Sequence, residues 1–255
     1  MSTLPPMAEM RAKIHPPGLL ERRSGEHWAG RLYMRKVSPY ATRLFVAAGI
    51  APNHLTGLMI VAGILAGFAL VWPGLPGAVL AAVLVQVYLL LDCSDGEVAR
   101  WTERKSITGV YLDRVGHYFC EAALLVGLGF RASAGEPTGY AVLGMAAALG
   151  AVLIKAETDL VDVARARSGR SVVTESDVEP RNPGLARLRR AALVLRFYRI
   201  ILAIELSFAV LLAAVVDAAL GSLAATQVLT VVVAGVAGLQ VVLHLISVLA
   251  SRRLA

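Results

Sequence analysis

Six long apolar stretches constrain the fold of this 255-residue chain more than any other feature of its sequence. A helix that crosses a membrane needs roughly 20 largely apolar residues, because lipid offers no partner to backbone polar groups. The candidate spans lie at about 55–73, 77–98, 109–130, 138–158, 199–219 and 225–250. Apolar residues make up 57% of the chain, whereas a soluble domain has roughly 45–50%. We therefore predict an all-α polytopic membrane protein, a bundle of six transmembrane helices.

The first 50 residues are polar and basic, which divides the chain into an N-terminal region (1–50) and a six-helix transmembrane domain (51–255). Ser38 followed by Pro39 is typical of an N-cap and a first helical residue. This pair predicts two short amphipathic helices at the membrane surface, at about 26–36 and 39–49, whose basic side chains meet lipid phosphates. Residues 1–25 fit a solvated basic tail better.

Lysine and arginine residues predict how the spans are oriented. They are concentrated before residue 50, between the second and third spans, at 165–199 and at the C terminus, whereas the opposite side carries Arg131. Because basic residues are retained on the cytoplasmic side, we predict a multi-pass cell-membrane protein with both termini and the charged loop in the cytoplasm. The net charge of +7 lies beside the spans, so it favours contact with membrane lipids and phosphate-bearing substrates over nucleic acid.

The segment from Asp92 to His117 places ionisable residues at the ends of two spans, where such groups usually mark a functional site. At about 100° per residue, its polar and small side chains fall on one face of each helix. The second span presents Asp92, Asp95, Gly96 and Ala99, with Arg100 at the edge, and the third presents Gly109, Asp113 and His117. Glu97 points elsewhere. Facing each other, the two helices would surround one water-accessible pocket near the cytoplasmic surface.

Three clustered aspartates predict a site for divalent cations, because like charges at close range disfavour one another. Oxygen ligands suit Mg²⁺, Mn²⁺ or Ca²⁺, and two ions can stabilise the attacking and leaving oxygens of a phosphoryl displacement. The glycines leave room for a ligand close to the backbone, and Arg100 can hold a phosphate. The alternative is that the acids pair with Arg100, Arg104 and Arg114, which is a poor arrangement for three carboxylates on converging faces.

These positions resemble the signature of the CDP-alcohol phosphotransferase family. The pattern is Asp92-x2-Asp95-Gly96-x2-Ala99-Arg100-x8-Gly109-x3-Asp113-x3-His117, and it matches at every fixed position except the last. The resemblance covers the six spans in outline and residues 52–117 in detail. It implies a membrane enzyme that transfers a substituted phosphate from a CDP-linked donor to an alcohol and releases CMP. CDP-diacylglycerol in phospholipid synthesis is the expected donor, and a soluble CDP-polyol is the alternative.

The resemblance also implies roles for single residues. In such enzymes the aspartates matching Asp92, Asp95 and Asp113 hold two divalent ions, Mg²⁺ or Mn²⁺. The nucleotide-binding positions match Asn53, Thr56, Gly96, Ala99, Arg100, Ser106 and Gly109. For Asn53 and Thr56, a helix cap is an equally open interpretation. Near the end of the fourth span, where relatives bind the acceptor's charged group, lie Lys155, Arg165 and Arg167, although simple anchoring to lipid headgroups explains them as well.

His117 departs from the family, in which a fourth aspartate is usually a metal ligand and the general base. An imidazole titrates near neutral pH, suits proton removal from an alcohol and is an acceptable ligand for Mn²⁺ or Zn²⁺. We predict that His117 and Asp113 are catalytic, with Glu121 as a possible source of the missing carboxylate. The alternatives are a catalytically weak member with a binding or scaffold role, or a transporter. A transporter would distribute polar residues along its spans, whereas this chain concentrates them at one end.

Two weaker features concern packing. Glu205 in the fifth span could face the same cavity or pair with Arg199 or Arg196. The glycines of the last three spans favour close helix packing or a homodimer interface, and we predict a homodimer.

Overall fold

The computed structural model describes residues 4–16, 28–171, 173, 175–178, 184 and 197–254. Every regular element in these residues is helical, which confirms the predicted all-α class. In chain order, the α-helices are α1 (Met7–Ile14), α2 (Arg35–Ala47), α3 (Pro52–Val71), α4 (Gly74–Thr102), α5 (Ile107–Ala132), α6 (Gly139–Arg167), α7 (Ala203–Leu220) and α8 (Ala224–Ala250).

The six predicted spans correspond to helices α3 to α8. Five of these, all but α5, are long and apolar enough to cross a membrane. Helix α5 has the length but carries charged residues, among them Asp113, Arg114 and Glu121. It packs along α3 and α6, and α3 in turn packs along α4. The chain is therefore a multi-pass membrane protein in which the two motif-bearing helices, α4 and α5, both adjoin α3.

Glycines permit the close approach of α3 and α5. A Cβ atom on Gly67 would lie 2.4 Å from the carbonyl oxygen of Ala123, and one on Gly127 would lie 2.2 Å from that of Gly67. By contrast, Gly235 and Gly238 of α8 have no atom within 4 Å of such a position among the described residues. The close packing predicted for the last three spans is confirmed at Gly144 of α6, where a Cβ atom would lie 2.6 Å from Gly129 Cα, and not at Gly235 or Gly238. The homodimer interface stays a prediction.

We expect Gly127→Ala to lower stability, because the added methyl group meets backbone rather than a flexible side chain. Overpacking of this kind costs about 1–3 kcal/mol. Gly235→Ala is the matched control: the space around it is open, and alanine favours helix over glycine. Thermal unfolding of the two purified variants in detergent measures the difference. Equal midpoints would contradict the packing argument.

The N-terminal region differs from the prediction of two short helices. A π-helical turn, Gly30–Met34, runs directly into α2, and Pro39 lies inside that helix. The Ser38 hydroxyl does not cap a helix but donates to Glu97 at 2.6 Å. The tertiary hydrogen bond therefore replaces the capping role that the Ser-Pro pair suggested. Residues 26 and 27 of the first predicted helix lie outside the described residues.

The predicted solvated tail contains a helix that packs on the bundle. In α1, Met10 and Ile14 are fully buried. Arg100 Nε donates to the carbonyl oxygen of Ile14 at 2.8 Å, and Lys13 Nζ lies 2.7 Å from Glu103 Oε1. The hydrogen bond from Lys13 and the positive charge of its ammonium lower the pKa of the exposed Glu103 carboxyl. The tail prediction was wrong because two apolar residues four positions apart suffice to seat one short helix against α4.

Glu205, at the beginning of α7, pairs with Arg199 rather than lining the motif cavity. Arg199 Nε lies 2.6 Å from Glu205 Oε1, and Trp28 Nε1 donates to the same oxygen at 2.8 Å. Arg196, the other proposed partner, lies outside the described residues. The carboxylate thus ties the residues before α2 to α7.

Candidate active site

One cavity of about 380 Å³ lies where the beginning of α3, the end of α4 and the beginning of α5 meet. The structure brings all the predicted donor-site side chains to its wall. They are Asn53, Thr56, Asp92, Asp95, Gly96, Ala99, Arg100, Ser106, Gly109, Asp113 and His117. The helical periodicity of the motif therefore predicted correctly which faces converge.

Asp92, Asp113 and His117 form the tightest group in this cavity. One donor atom of each lies within 4.8 Å of the others, and all three side chains are partly exposed. His117 Nε2 lies 3.4 Å from Asp92 Oδ1 and 3.7 Å from Asp113 Oδ1. Asp113 and His117 are one helical turn apart on α5, and Asp92 reaches them from α4. Two carboxylates and an imidazole form a donor set that fits Mn²⁺ well and Mg²⁺ less well.

Asp95 lies apart from this group, although it lines the same cavity. Its Oδ2 accepts a hydrogen bond of 2.6 Å from the Thr56 hydroxyl, and its side chain is buried toward α3. The N-cap of α3 is Ala51, with Pro52 as the first helical residue and no capping side chain. The helix-cap interpretation of Thr56 was therefore wrong, since its hydroxyl binds the motif aspartate. The role of Asp95 as a metal ligand stays a prediction.

Two glycines make room for polar side chains in the part of the cavity predicted to bind the nucleotide. A Cβ atom on Gly96 would lie 3.2 Å from NH1 of Arg100, so the guanidinium lies across the glycine. One on Gly109 would lie 2.9 Å from Asn53 Oδ1. Ser106 caps α5, because its hydroxyl oxygen accepts the Gly109 N–H at 2.9 Å. Side chains at either glycine would displace groups that the family motif assigns to the nucleotide.

Cationic side chains that the motif did not include also line the cavity. They are Arg35, Arg104 and Lys105. Arg35 was predicted to meet lipid phosphates, but NH1 donates to Glu97 Oε1 at 3.1 Å and lies 3.4 Å from the Cys93 carbonyl oxygen. Arg35, Ser38 and Thr42 are three to four residues apart, so they share one face of a helix. This spacing was the signal in the sequence that could have placed them against the bundle.

Glu97 links the N-terminal region to the motif helix. Its fully buried carboxylate accepts hydrogen bonds from Ser38 at 2.6 Å and Thr42 at 2.7 Å, and it pairs with His15 Nε2 at 2.9 Å and Arg35 at 3.1 Å. The sequence predicted correctly that Glu97 points away from the aspartates. It did not reveal that His15, Arg35, Ser38 and Thr42 converge on this carboxylate, two positions beyond Asp95.

A second pocket of about 300 Å³ adjoins His117 between α5 and α6. Its wall consists of Arg114, His117, Tyr118, Ile154, Lys155, Thr158 and Asp159. Arg114 pairs with Asp159 and Asp162 of α6, so it does not serve as the helix-end partner suggested for the motif acids. His117 lines both pockets and therefore lies at their junction.

The predicted acceptor residues separate in the structure. Lys155 lines the second pocket, and its ammonium lies 3.2 Å from Glu121 Oε1. Glu121 is buried in this pair and lies outside the tight group of Asp92, Asp113 and His117. Its contribution as a replacement ligand finds no support in this geometry.

Arg165 and Arg167 lie further along α6 and are not in the wall of the second pocket. Arg165 is buried, where it donates to the carbonyl oxygens of Ser171 at 2.7 Å and Arg253 at 2.9 Å. Because α6 rises about 1.5 Å per residue, ten residues separate Arg165 from Lys155 by about 15 Å. An acceptor role is consistent with the geometry for Lys155, while Arg165 holds the end of α6 to the C terminus.

Comparison with known proteins agrees with this geometry. A family model, CDP-alcohol phosphatidyltransferase, matches residues 49–253, which is most of the chain. The chain belongs to this family. A bifunctional IPC transferase and DIPP synthase from Thermococcus kodakarensis is 30% identical over 136 residues, which make up 53% of this chain. The match spans 30% of that relative's length.

Membership of the CDP-alcohol phosphatidyltransferase family implies a membrane-integral transferase with a CDP-alcohol donor and an alcohol acceptor. The family generally depends on a divalent metal, and the group of Asp92, Asp113 and His117 can bind one. The resemblance drawn from the motif is thereby confirmed, with His117 as the departure from it.

Proposed function

We propose that this transferase moves a phosphatidyl group from CDP-diacylglycerol to an alcohol and releases CMP, as a step of phospholipid synthesis. The observation that carries the proposal is the convergence of the motif side chains on one cavity at the ends of membrane-spanning helices. The distribution of Lys and Arg supports a cytoplasmic site in the cell membrane. The Thermococcus relative is a transferase by name, which supports the reaction class.

A groove on the outside of α5 favours a lipid donor over a soluble CDP-polyol. The groove holds about 540 Å³ and is mostly apolar; Ile107, Val110, Tyr111, Val115 and Phe119 lie in its wall. Val110 also lines the motif cavity. Ile107 is 91% exposed and Val110 is 63% exposed, which is costly in water and favourable against acyl chains. A donor with its nucleotide in the cavity can therefore lay its acyl chains along this groove.

The proposed reaction takes place at His117, where the motif cavity and the second pocket meet. The acceptor hydroxyl oxygen bonds to the donor's lipid-bearing phosphorus, the bond from that phosphorus to the bridging oxygen breaks, and CMP leaves with the bond's electron pair. His117 Nε2 takes the hydroxyl proton. Asp92, Asp95 and Asp113 would hold divalent ions that neutralise charge on the pyrophosphate. Arg35, Arg100 and Lys105 add positive charge around the phosphates.

CMP release from the purified protein tests the proposal. The protein in lipid nanodiscs is given CDP-diacylglycerol or CDP-glycerol with a set of alcohols, after chelation and then with Mn²⁺ or Mg²⁺ restored. We expect CMP only when CDP-diacylglycerol, an acceptor and a metal ion are all present, with a lipid product of matching mass. Release from CDP-glycerol alone would identify a soluble donor. No release from any donor would leave a binding or scaffold role.

The second pocket is the proposed acceptor site, and Lys155 tests it. Replacing Lys155 alone would leave Glu121 buried without its partner, so the variant is Lys155→Met combined with Glu121→Gln, which keeps the volume. We expect the KM for the acceptor to rise at least about tenfold, because a hydrogen bond to a charged group is lost. The KM for the donor should stay unchanged. Arg167→Ala is the control, because Arg167 is exposed and outside the pocket. Equal effects of both variants would favour headgroup anchoring.

A further inference from the structure

A tyrosine that the family motif does not include holds the imidazole of His117. Tyr88 lies on α4 one turn before Asp92, and its side chain is buried. Its hydroxyl forms a hydrogen bond with His117 Nδ1, and the two rings meet edge to face with centroids 5.9 Å apart. The ring nitrogen that faces away from the aspartates is thus occupied by Tyr88.

This contact determines what the other ring nitrogen can do. With Nδ1 held by Tyr88, Nε2 lies between Asp92 at 3.4 Å and Asp113 at 3.7 Å. For Nε2 to accept a proton or bind a cation, the hydrogen of a neutral imidazole must be on Nδ1. Without a cation, the tautomer with its hydrogen on Nε2 can donate to either carboxylate.

A hydroxyl is the partner that suits both tautomers. It donates to Nδ1 when the imidazole hydrogen is on Nε2, and it accepts from Nδ1–H when Nε2 is free. A backbone carbonyl could do only the second, and a carboxylate would add negative charge beside two aspartates. Tyr88 therefore offers His117 a fixed ring orientation without fixing its tautomer.

We propose that Tyr88 is the positioning residue for His117, and that the two side chains together take the place of the family's fourth aspartate. An aspartate at this position has no ring nitrogen that needs a partner, so the requirement for Tyr88 follows from the histidine. With the imidazole hydrogen on Nδ1, Tyr88 accepts from Nδ1–H and the Nε2 lone pair faces Asp92 and Asp113, where it can either hold a cation or take a proton, but not both at once. The role in proton transfer rests on the proposed function, whereas the role in metal binding does not.

A double-mutant cycle tests the pairing through Mn²⁺ affinity, measured from the spin-resonance signal of free Mn²⁺ in titrations of the 255-residue protein. The variants are Tyr88→Phe, His117→Asp and the two combined. We expect Tyr88→Phe to weaken Mn²⁺ binding by about 10–100-fold, as for other groups that orient a metal ligand. In the His117→Asp background, we expect the same change to alter affinity less than about twofold, because a carboxylate has no Nδ1 to hold.

Two outcomes would overturn the proposal: equal weakening in both backgrounds, which indicates general packing, or unchanged affinity in Tyr88→Phe. Tyr33→Phe is the matched control. The Tyr33 hydroxyl donates to Oε1 of Gln86 at 2.6 Å; Gln86 lies on α4, as Tyr88 does, and neither Tyr33 nor Gln86 lines the motif cavity. If His117→Asp does not fold, His117→Glu supplies the carboxylate background. Coupling in Mn²⁺ affinity without any CMP release would refute the proposed reaction and leave the positioning role in place.

Discussion

Asp113→Asn loses CMP release by a factor of about 1,000 or more while the protein stays folded. The amide keeps the size of the carboxylate but removes its negative charge, and Asp113 lies in the group with Asp92 and His117. Loss of metal-based charge stabilisation costs several kcal/mol in the transition state, and about 4 kcal/mol corresponds to a thousandfold. CMP release and Mn²⁺ titration are both measured, because the expected defect is in metal binding rather than in folding.

Asp162→Asn serves as the matched control for this loss. Asp162 is partly exposed on α6 and lies 3.5 Å from Arg114, outside the motif cavity. We expect its activity to stay within about twofold of the parent, since an exposed ion pair contributes little. If Asp113→Asn kept Mn²⁺ affinity and CMP release, the assignment of the Asp92, Asp113 and His117 group as the metal site would be wrong.

Glu97→Ala destabilises the protein by about 3–5 kcal/mol, the cost of removing one partner from a buried charged cluster. The substitution leaves the Arg35 guanidinium and the hydroxyls of Ser38 and Thr42 without their common acceptor. Activity falls as well, because Arg35 lines the motif cavity and Glu97 is two residues from Asp95. Thermal unfolding in detergent and tryptic cleavage after Arg11 and Lys13 report whether α1 and α2 stay on the bundle.

Two variants separate the buried cluster from a general effect of lost charge. Glu97→Gln retains an acceptor for the hydroxyls, so we expect a smaller loss of stability than with Glu97→Ala. Glu103→Ala removes the exposed partner of Lys13 at the end of the same helix, and we expect little change in stability. Comparable unfolding midpoints for Glu97→Ala and Glu103→Ala would show that the cluster does not hold the N-terminal region.

The donor site was predictable because its residues lie on two helices at helical spacing. Asp92, Asp95 and Gly96 share one face of α4, and Asp113 and His117 share one face of α5, so the periodicity alone indicated which side chains converge. Contacts between segments that are distant in the sequence do not follow a helical period. Tyr88 and His117 are 29 positions apart, and Ser38 and Glu97 are 59 apart, so neither contact could be derived from the sequence.

The N-terminal region shows where local signals mislead. Ser38 and Pro39 are strong cap and first-turn residues, yet α2 runs through both. A cap contributes about 1 kcal/mol, whereas a hydrogen bond to a buried charged carboxylate is worth about 1.5–3 kcal/mol. The tertiary contact with Glu97 therefore prevailed over the local preference.

By itself, the sequence determined that this chain is a helical membrane protein with one motif site. A membrane span in lipid requires a long apolar helix, and the motif residues are spaced at the helical period. The sequence also identified the departure at His117. Only the tertiary structure decided how that departure is accommodated, because Tyr88 of α4 comes within hydrogen-bonding distance of the imidazole of α5 only when both helices pack along α3. Packing also placed Lys155 in the second pocket and brought Arg35, on α2 against α4, into the cavity wall.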